Sequence, residues 1–256
     1  MGHLTPAADR SAGFIGIVCG LQAEAACIER ALRRAPERLR RVPAGHPLPS
    51  AGHPWAAAGV SVRVGVSGAR PAEAERIAAR FAAEGARLLL SFGIAGALDP
   101  TLAAGDIVIA SRIDDAGRSH PCIGLALPSR PSWREGPVHG SDRLIGDPAE
   151  KALLATGGAL AVDMESHRVA RIACGAGIPV AAIRAISDSS VQSVPAFVAG
   201  AVRADGTPRF APVLAGLARD PRTLGDLIAL RRGTNAALGG LGAAAADVLE
   251  ACATSA

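Results

Sequence analysis

Tyrosine is absent from this 256-residue chain, and lysine occurs once, at Lys151. No block of five or six like charges and no basic patch interleaved with aromatics is present, which argues against nucleic acid as a partner. The net charge of +4 comes from arginines that stand singly and alternate with acids along helix-like segments. The arginine- and alanine-rich bias, with its single lysine, reads as a property of the coding genome and implies no function. Cysteine is sparse too: Cys19, Cys27, Cys122, Cys174 and Cys252 are odd in number and lack CxxC spacing, which excludes a zinc ribbon, a dithiol redox centre or a disulfide scaffold. They read as small buried residues of a reducing compartment. An uninterrupted run of eighteen apolar residues is missing, and MGHLTPAADRSA at the start lacks the charged-then-apolar layout of a signal peptide. The expectation is a cytoplasmic protein with a loose N-terminus over residues 1–12.

Apolar residues make up 49% of the chain, enough for one sizeable core. FIGIVCG (Phe14 to Gly20) is a short apolar run ending in glycine, and LQAEAACIERALRRA after it has the three-to-four spacing of an amphipathic helix. Prolines, glycines and arginines from Pro36 to Pro54 mark an excursion loop. VSVRVGV alternates as a strand, and Pro71 opens the next helix with acids early and a glycine near its end. LLLSFGIAG and DIVIASRI read as strands. After a Pro/Gly/Ser-rich middle, ALAVDMESHRVARIACGAGIPVAAIRAISDSS reads as strand, helix, glycine stop and strand, and the tail from Phe210 is helical. This alternation predicts an α/β three-layer sandwich around a central mixed, largely parallel sheet.

In such a sheet ligands bind outside the carboxyl ends of the strands. Gly20 to Glu24, Ser67 to Arg70, Gly93 to Gly96, Asp163 to Glu165 and Arg184 to Asp188 all fall at strand ends, so one cleft can collect them. The two carboxylates of VDMESH, Asp163 and Glu165, have an alternative reading: they precede a helix, where negative charge complements the dipole. A dinucleotide-binding dehydrogenase is set aside, because the first turn reads CGLQAEA where a compact GxGxxG is required.

AVDMES, IRAISDSS some twenty residues later, SFGIAGALDPTLAAGDIVIA and the opening IGIVCGLQAEA together resemble the nucleoside phosphorylase and nucleosidase superfamily, in order and in spacing. PAEKALLATGGALAVDMESH and the tail RADGTPRFAPVLAGLARDPRTLGDLIALRR are most similar to its hopanoid-associated phosphorylase branch, extending the resemblance over nearly the whole chain. It implies one domain over residues 13–256, with a C-terminal helical extension from about residue 197. It implies cleavage of the N-glycosidic bond of an adenosine-type nucleoside, with adenosylhopane as the branch's substrate. Such cleavage builds positive charge on the ribose and negative charge on the leaving base.

By the same resemblance Asp188 faces N7 and the exocyclic amine, Ser187 supports it, and Glu165 accepts hydrogen bonds from both ribose hydroxyls. Met164 packs on the sugar or fills core, Asp163 supports the turn, and His167 has at most a supporting place. Leu144 and Ile145 hold the purine or merely anchor a loop. Gly93 to Gly96 form the turn near the nucleophile, where Ile94 stands in place of the family's frequent hydroxyl. Glu24 aligns with the carboxylate that activates water in methylthioadenosine nucleosidases, while Arg184 lies close to the nucleophile and Arg70 offers a second positive charge or faces solvent.

Phosphate is favoured as co-substrate by the branch, and water by Ile94 and Glu24. A non-catalytic nucleoside-binding module is the remaining alternative. Neither a metal nor a redox cofactor is expected. A homo-oligomer, with a dimer favoured, is implied by the resemblance. Transient contact with the inner membrane surface follows if the apolar residues and arginines of Phe197 to Leu241 form a lipid-facing rim; otherwise they close the core or a subunit interface.

Overall fold

The computed structural model describes residues 13–34, 55–57 and 60–255; the expectations for the N-terminus and for the excursion loop lie outside these. Strand β1 (Phe14–Cys19) is buried throughout and runs into helix α1 (Gln22–Arg34), whose inward face carries Ala25, Cys27, Ile28 and Leu32. Strand β2 (Trp55–Ala57) pairs antiparallel with β3 (Val60–Val66), which leads through the Ser67 turn into α2 (Pro71–Ala83), with proline in its first turn. Strand β4 (Ala86–Ala97) is the long apolar centre, followed by β5 (Ile107–Asp115).

The Pro/Gly/Ser-rich middle is more ordered than its composition suggests. It holds β6 (Arg118–Pro121), β7 (Trp133–Gly140) and α3 (Pro148–Ala155). Strand β7, WREGPVHG, lacks the apolar alternation that marks a strand in sequence; its parallel pairing with both β5 and β8 (Ala161–Asp163) supplies what composition withholds. Helix α4 (Ser166–Ala176) ends at the left-handed Gly177, and β9 (Val180–Asp188) is buried at every residue. The tail forms α5 (Phe210–Arg219) and α6 (Leu224–Ser255).

The nine strands form one mixed sheet, with β1 parallel to β3 and β4, and β4 parallel to β9. Strand β9 also pairs antiparallel with β5, β5 pairs parallel with β7 and β7 parallel with β8, and β8 pairs antiparallel with the end of β4, so these five strands close on themselves. Closure pulls the ends of β4, β8 and β9 together. One side of the sheet packs on α1 and α6 through Ile28, Leu32, Leu241 and Val248, the other on α2 and α4 through Ile77, Phe81 and Val169. The fold is the expected layered α/β arrangement.

Helix α6 with the turn before it, Pro221–Ser255, is long and apolar enough by length and composition to cross a membrane, yet its buried residues Ala237, Leu241, Ala244, Ala245, Val248 and Leu249 repeat at helical spacing against the core. Of the cysteines, Cys19, Cys27 and Cys252 are buried as expected, whereas Cys122 is half-buried and Cys174 is exposed at the end of α4.

Candidate active site

The carboxyl ends of β1, β4, β8 and β9 bring two groups of side chains together. The first surrounds Asp188. Opposite β4, the register advances from Ala95 against Ile186 to Gly96 against Asp188, so Ser187 is the extra, unpaired residue of a bulge directly before Asp188. The Ser187 hydroxyl donates to Asp188 Oδ1 at 2.6 Å. Gly96 allows the close approach, since a Cβ there would stand 2.9 Å from Asp188 Oδ2. A cleft is lined by Gly96, Arg143, Leu144, Ile145, Val162, Asp163, Met164 and Asp188. Leu144, Ile145 and Met164 therefore face the same space as Asp188, although Ile145 also packs against Leu98, Ala159 and Val162 as a loop anchor.

The second group surrounds Glu24, which is buried in the first turn of α1. Its Oε2 accepts the amides of Gly20 at 2.7 Å and Leu21 at 2.9 Å, and its Oε1 accepts the Ile94 amide at 2.8 Å. A Cβ at Gly93 would meet Glu24 Oε1 at 2.8 Å, so any larger residue there would displace the carboxylate from this position. Burial pushes the Glu24 carboxyl up from its ordinary value, against the opposing pull of these amides and of Arg184. Glu165 approaches the same turn, its Oε1 lying 3.1 Å from where a Cβ of Gly20 would be. Burial first, then the charges of Asp163 and Glu24, push Glu165 up to about 8.

Asp163 joins the two groups. Its Oδ1 accepts the amides of Glu165 and Ser166, each at 2.7 Å, and so shapes the entry to α4. Its Oδ2 accepts from Arg184 Nε at 2.7 Å. Burial opposes its ionised form, but Arg184 and the hydrogen bonds outweigh this and hold it below the ordinary carboxylate value. The capping reading of VDMESH thus suits Asp163, while the Glu165 side chain does not cap α4.

Arg184 and Arg70 are both held by partners within the protein. Arg184 is enclosed, with Nη1 donating to Ile183 O at 2.9 Å and Nη2 to Ser91 Oγ at 2.5 Å, so its guanidinium is committed to the protein and not presented to a nucleophile. Arg70 is exposed, in keeping with its solvent-facing alternative, and donates to Ser67 O and Ala204 O, which ties down the hairpin that carries the Val202–Pro208 bridge. That hairpin lies over the Glu24 end of the site, for Gln22 N donates to Gly206 O and a Cβ at Gly206 would meet Gly20 O at 3.3 Å. His167 is buried and bonds Asp142 through Nε2 at 2.8 Å, a supporting contact to the loop before Leu144.

Sequence reasoning passed over Lys151. The chain's one lysine is fully buried on α3, and its Nζ donates to Asp188 Oδ2 at 2.5 Å. A solitary charged residue within an amphipathic segment carries no periodic signal, and its rarity in an arginine-rich chain was the available clue.

Two segments, residues 14–131 and 129–220, match the model of the Phosphorylase superfamily. Among solved structures, the 5′-methylthioadenosine/S-adenosylhomocysteine nucleosidase of Neisseria meningitidis, in complex with methylthio-immucillin-A, aligns with a TM-score of 0.65 at 14% identity over 93% of this chain and 98% of that one. S-adenosylhomocysteine nucleosidase of Streptococcus pyogenes gives 0.65 at 17% identity, over 94% and 97%. Futalosine hydrolase of Helicobacter pylori gives 0.61 at 15% identity, over 91% and 97%. No curated protein sequence matches the chain. The structural likenesses speak for the fold, and the family match spans most of the residues that build it: the chain belongs to the Phosphorylase superfamily.

Proposed function

We propose that this protein cleaves the N-glycosidic bond of an adenosine-type nucleoside, releasing adenine under Asp188, with water as the nucleophile. The observation that carries the choice of water is the seat of Glu24. A carboxylate accepts the amides of Gly20, Leu21 and Ile94, the donors that would otherwise greet an anion at this turn. Arg184 and Arg70 are both engaged elsewhere. A carboxyl raised by burial is a better base toward water than an ordinary glutamate. In this reading Glu165 holds the ribose hydroxyls, and their bonds strengthen as the ring gains positive charge. Met164, Leu144 and Ile145 flank the purine and sugar.

The 5′ substituent is proposed to be large and apolar, adenosylhopane being the candidate within hopanoid biosynthesis. Helix α5 buries only Gly216, and Phe210, Leu214, Leu224 and Ile228 are exposed on the C-terminal extension, an apolar surface suited to a triterpenoid and, with the nearby arginines, to transient contact with a membrane from the cytoplasmic side. Residues 13–256 would act as one domain, assembled as a homo-oligomer, a dimer first. Phosphorolysis of adenosylhopane to phosphoribosylhopane is the second reading, favoured by the branch resemblance of PAEKALLATGGALAVDMESH.

Mass analysis of the products from adenosines carrying methylthio or long apolar 5′ groups, with and without phosphate, tests both readings. The expected result is adenine and a free sugar at a rate indifferent to phosphate, with the long apolar group preferred. A sugar 1-phosphate would select the second reading. Failure to release adenine from any of them would leave the nucleoside-binding module.

A further inference from the structure

Helix α3 begins D-P-A-E-K. Asp147 caps it, accepting the Ala149 amide at 2.9 Å, and Pro148 opens the first turn. This start delivers Lys151 inward at a fixed depth. Its ammonium has three oxygen partners: Asp188 Oδ2 at 2.5 Å, Ser189 O at 2.9 Å and Gln192 O at 3.2 Å. Val194 N donates to Gly146 O at 2.9 Å, so the segment after β9 is also strapped to the loop before α3. The two carbonyls aim the ammonium, and the Ser187 hydroxyl takes the other carboxylate oxygen of Asp188. Carbonyls alone could be satisfied by a neutral donor. A buried cation is costly unless paired, and its one ion-pair partner among the described residues is the acid that faces the cleft.

We infer that Lys151 is the positioning residue of the leaving-group acid: it holds the Asp188 carboxylate in the cleft and carries the proton that Asp188 passes to the departing purine. This deepens the proposed nucleoside cleavage and rests on it. As the C1′–N9 bond breaks, its electron pair goes to the purine, Asp188 takes a proton from Lys151 at Oδ2 and passes it to N7, and Lys151 is left as the neutral amine. Water adds to C1′ and gives its proton to Glu24. The amine of Lys151 and the acid of Glu24 reset by exchange with solvent, so the net reaction is nucleoside plus water to free base plus sugar.

A double-mutant cycle with Lys151→Met and Asp188→Asn tests the inference, using adenine release from a 5′-substituted adenosine that the wild type cleaves, with thermal melts to follow folding. Lys151→Met should lower kcat by about 100-fold or more, the scale of general acid catalysis, with KM changed less than about threefold. In the Asp188→Asn background the same substitution should cost less than about threefold, because the two side chains act as a unit. If Lys151→Met does not fold, the doubly substituted protein, which lacks the uncompensated carboxylate, is compared directly with Asp188→Asn, and equal kcat is expected. Near-wild-type kcat in Lys151→Met, or a full further loss in the Asp188→Asn background, overturns the inference. A wild type that releases no adenine from any such nucleoside defeats the proposed function and the inference with it, whereas an active wild type with an additive cycle defeats the inference alone.

Discussion

Glu24 and Ile94 meet across seventy positions of sequence: the carboxylate in the first turn of α1 accepts, at 2.8 Å, the Ile94 amide, and Gly93 to Gly96, expected as a turn, lie within β4 and pair with β9. A carboxylate thereby occupies a backbone donor of the glycine-rich end of β4 that, in an anion-binding site, would be left open. Glu24→Gln keeps the size of the side chain but cannot take a proton from water. It should lower kcat by roughly 100-fold or more at neutral pH and leave substrate affinity nearly unchanged, as steady-state kinetics would show. Unaltered turnover would remove Glu24 from the base role.

Gly93 makes room for that contact. Gly93→Ala would set a Cβ 2.8 Å from Glu24 Oε1 and force the carboxylate away from the Ile94 amide. The expected cost is about 1–3 kcal/mol of stability by thermal melt, together with a fall in kcat like that of Glu24→Gln. A protein with full activity would mean that the carboxylate can leave its seat without consequence.

For Asp188, an asparagine preserves hydrogen bonding but has no proton to donate. Asp188→Asn should reduce kcat by about 100-fold or more with a smaller change in KM. Near-wild-type kinetics would show that the purine leaves without help from this residue.

Glu165 carries a pH signature. Its carboxyl is raised from 4.5 in an ordinary glutamate to about 8 in the fold, so the folded state binds the extra proton between those values. Below 4.5 the group is neutral folded or unfolded and exerts no penalty; as pH rises towards 8 the unfolded chain ionises freely while the fold resists, and stability falls. Glu165→Gln should abolish this contribution, so that its melting temperature gains on the wild type as pH increases from about 5 to about 8. A constant difference across that range would contradict the shift.

The exposed apolar residues of the C-terminal extension give a specificity test. Leu214→Gln with Ile228→Gln should reduce the preference for a long apolar 5′ group, with each methylene no longer buried contributing about 0.8 kcal/mol to the loss in kcat/KM, while adenosine cleavage and the melting temperature stay within experimental error. An undiminished preference would place the apolar group elsewhere.

Much of this protein was legible in one dimension. Buried runs such as Phe14–Cys19 and Ala86–Ala97, the spacing of α1 and α2, and Pro71 at a helix start are local signals, because strand and helix periods and backbone limits act over a few residues. The motif order around Glu24, Gly93 and Asp188 was equally readable, since the parallel strands β1, β4 and β9 carry their carboxyl ends to the same side, whereas Glu165 reaches them from the end of β8, which meets β4 antiparallel. Strand β7 and helix α3 were not, because β7 has few apolar residues and is held by its pairing with β5 and β8.

Tertiary structure alone decided which charges are free. Arg184 has the same formal charge in any alignment, yet closure of the strands buries it against Asp163 and Ser91 and withdraws it from the cleft. Lys151, given no role from the sequence, becomes the partner of Asp188 from thirty-seven positions away. Sequence patterns record what a residue needs from its near neighbours. Long-range hydrogen bonds between single polar atoms leave no period behind them, and they exist only once the sheet has brought its strand ends together.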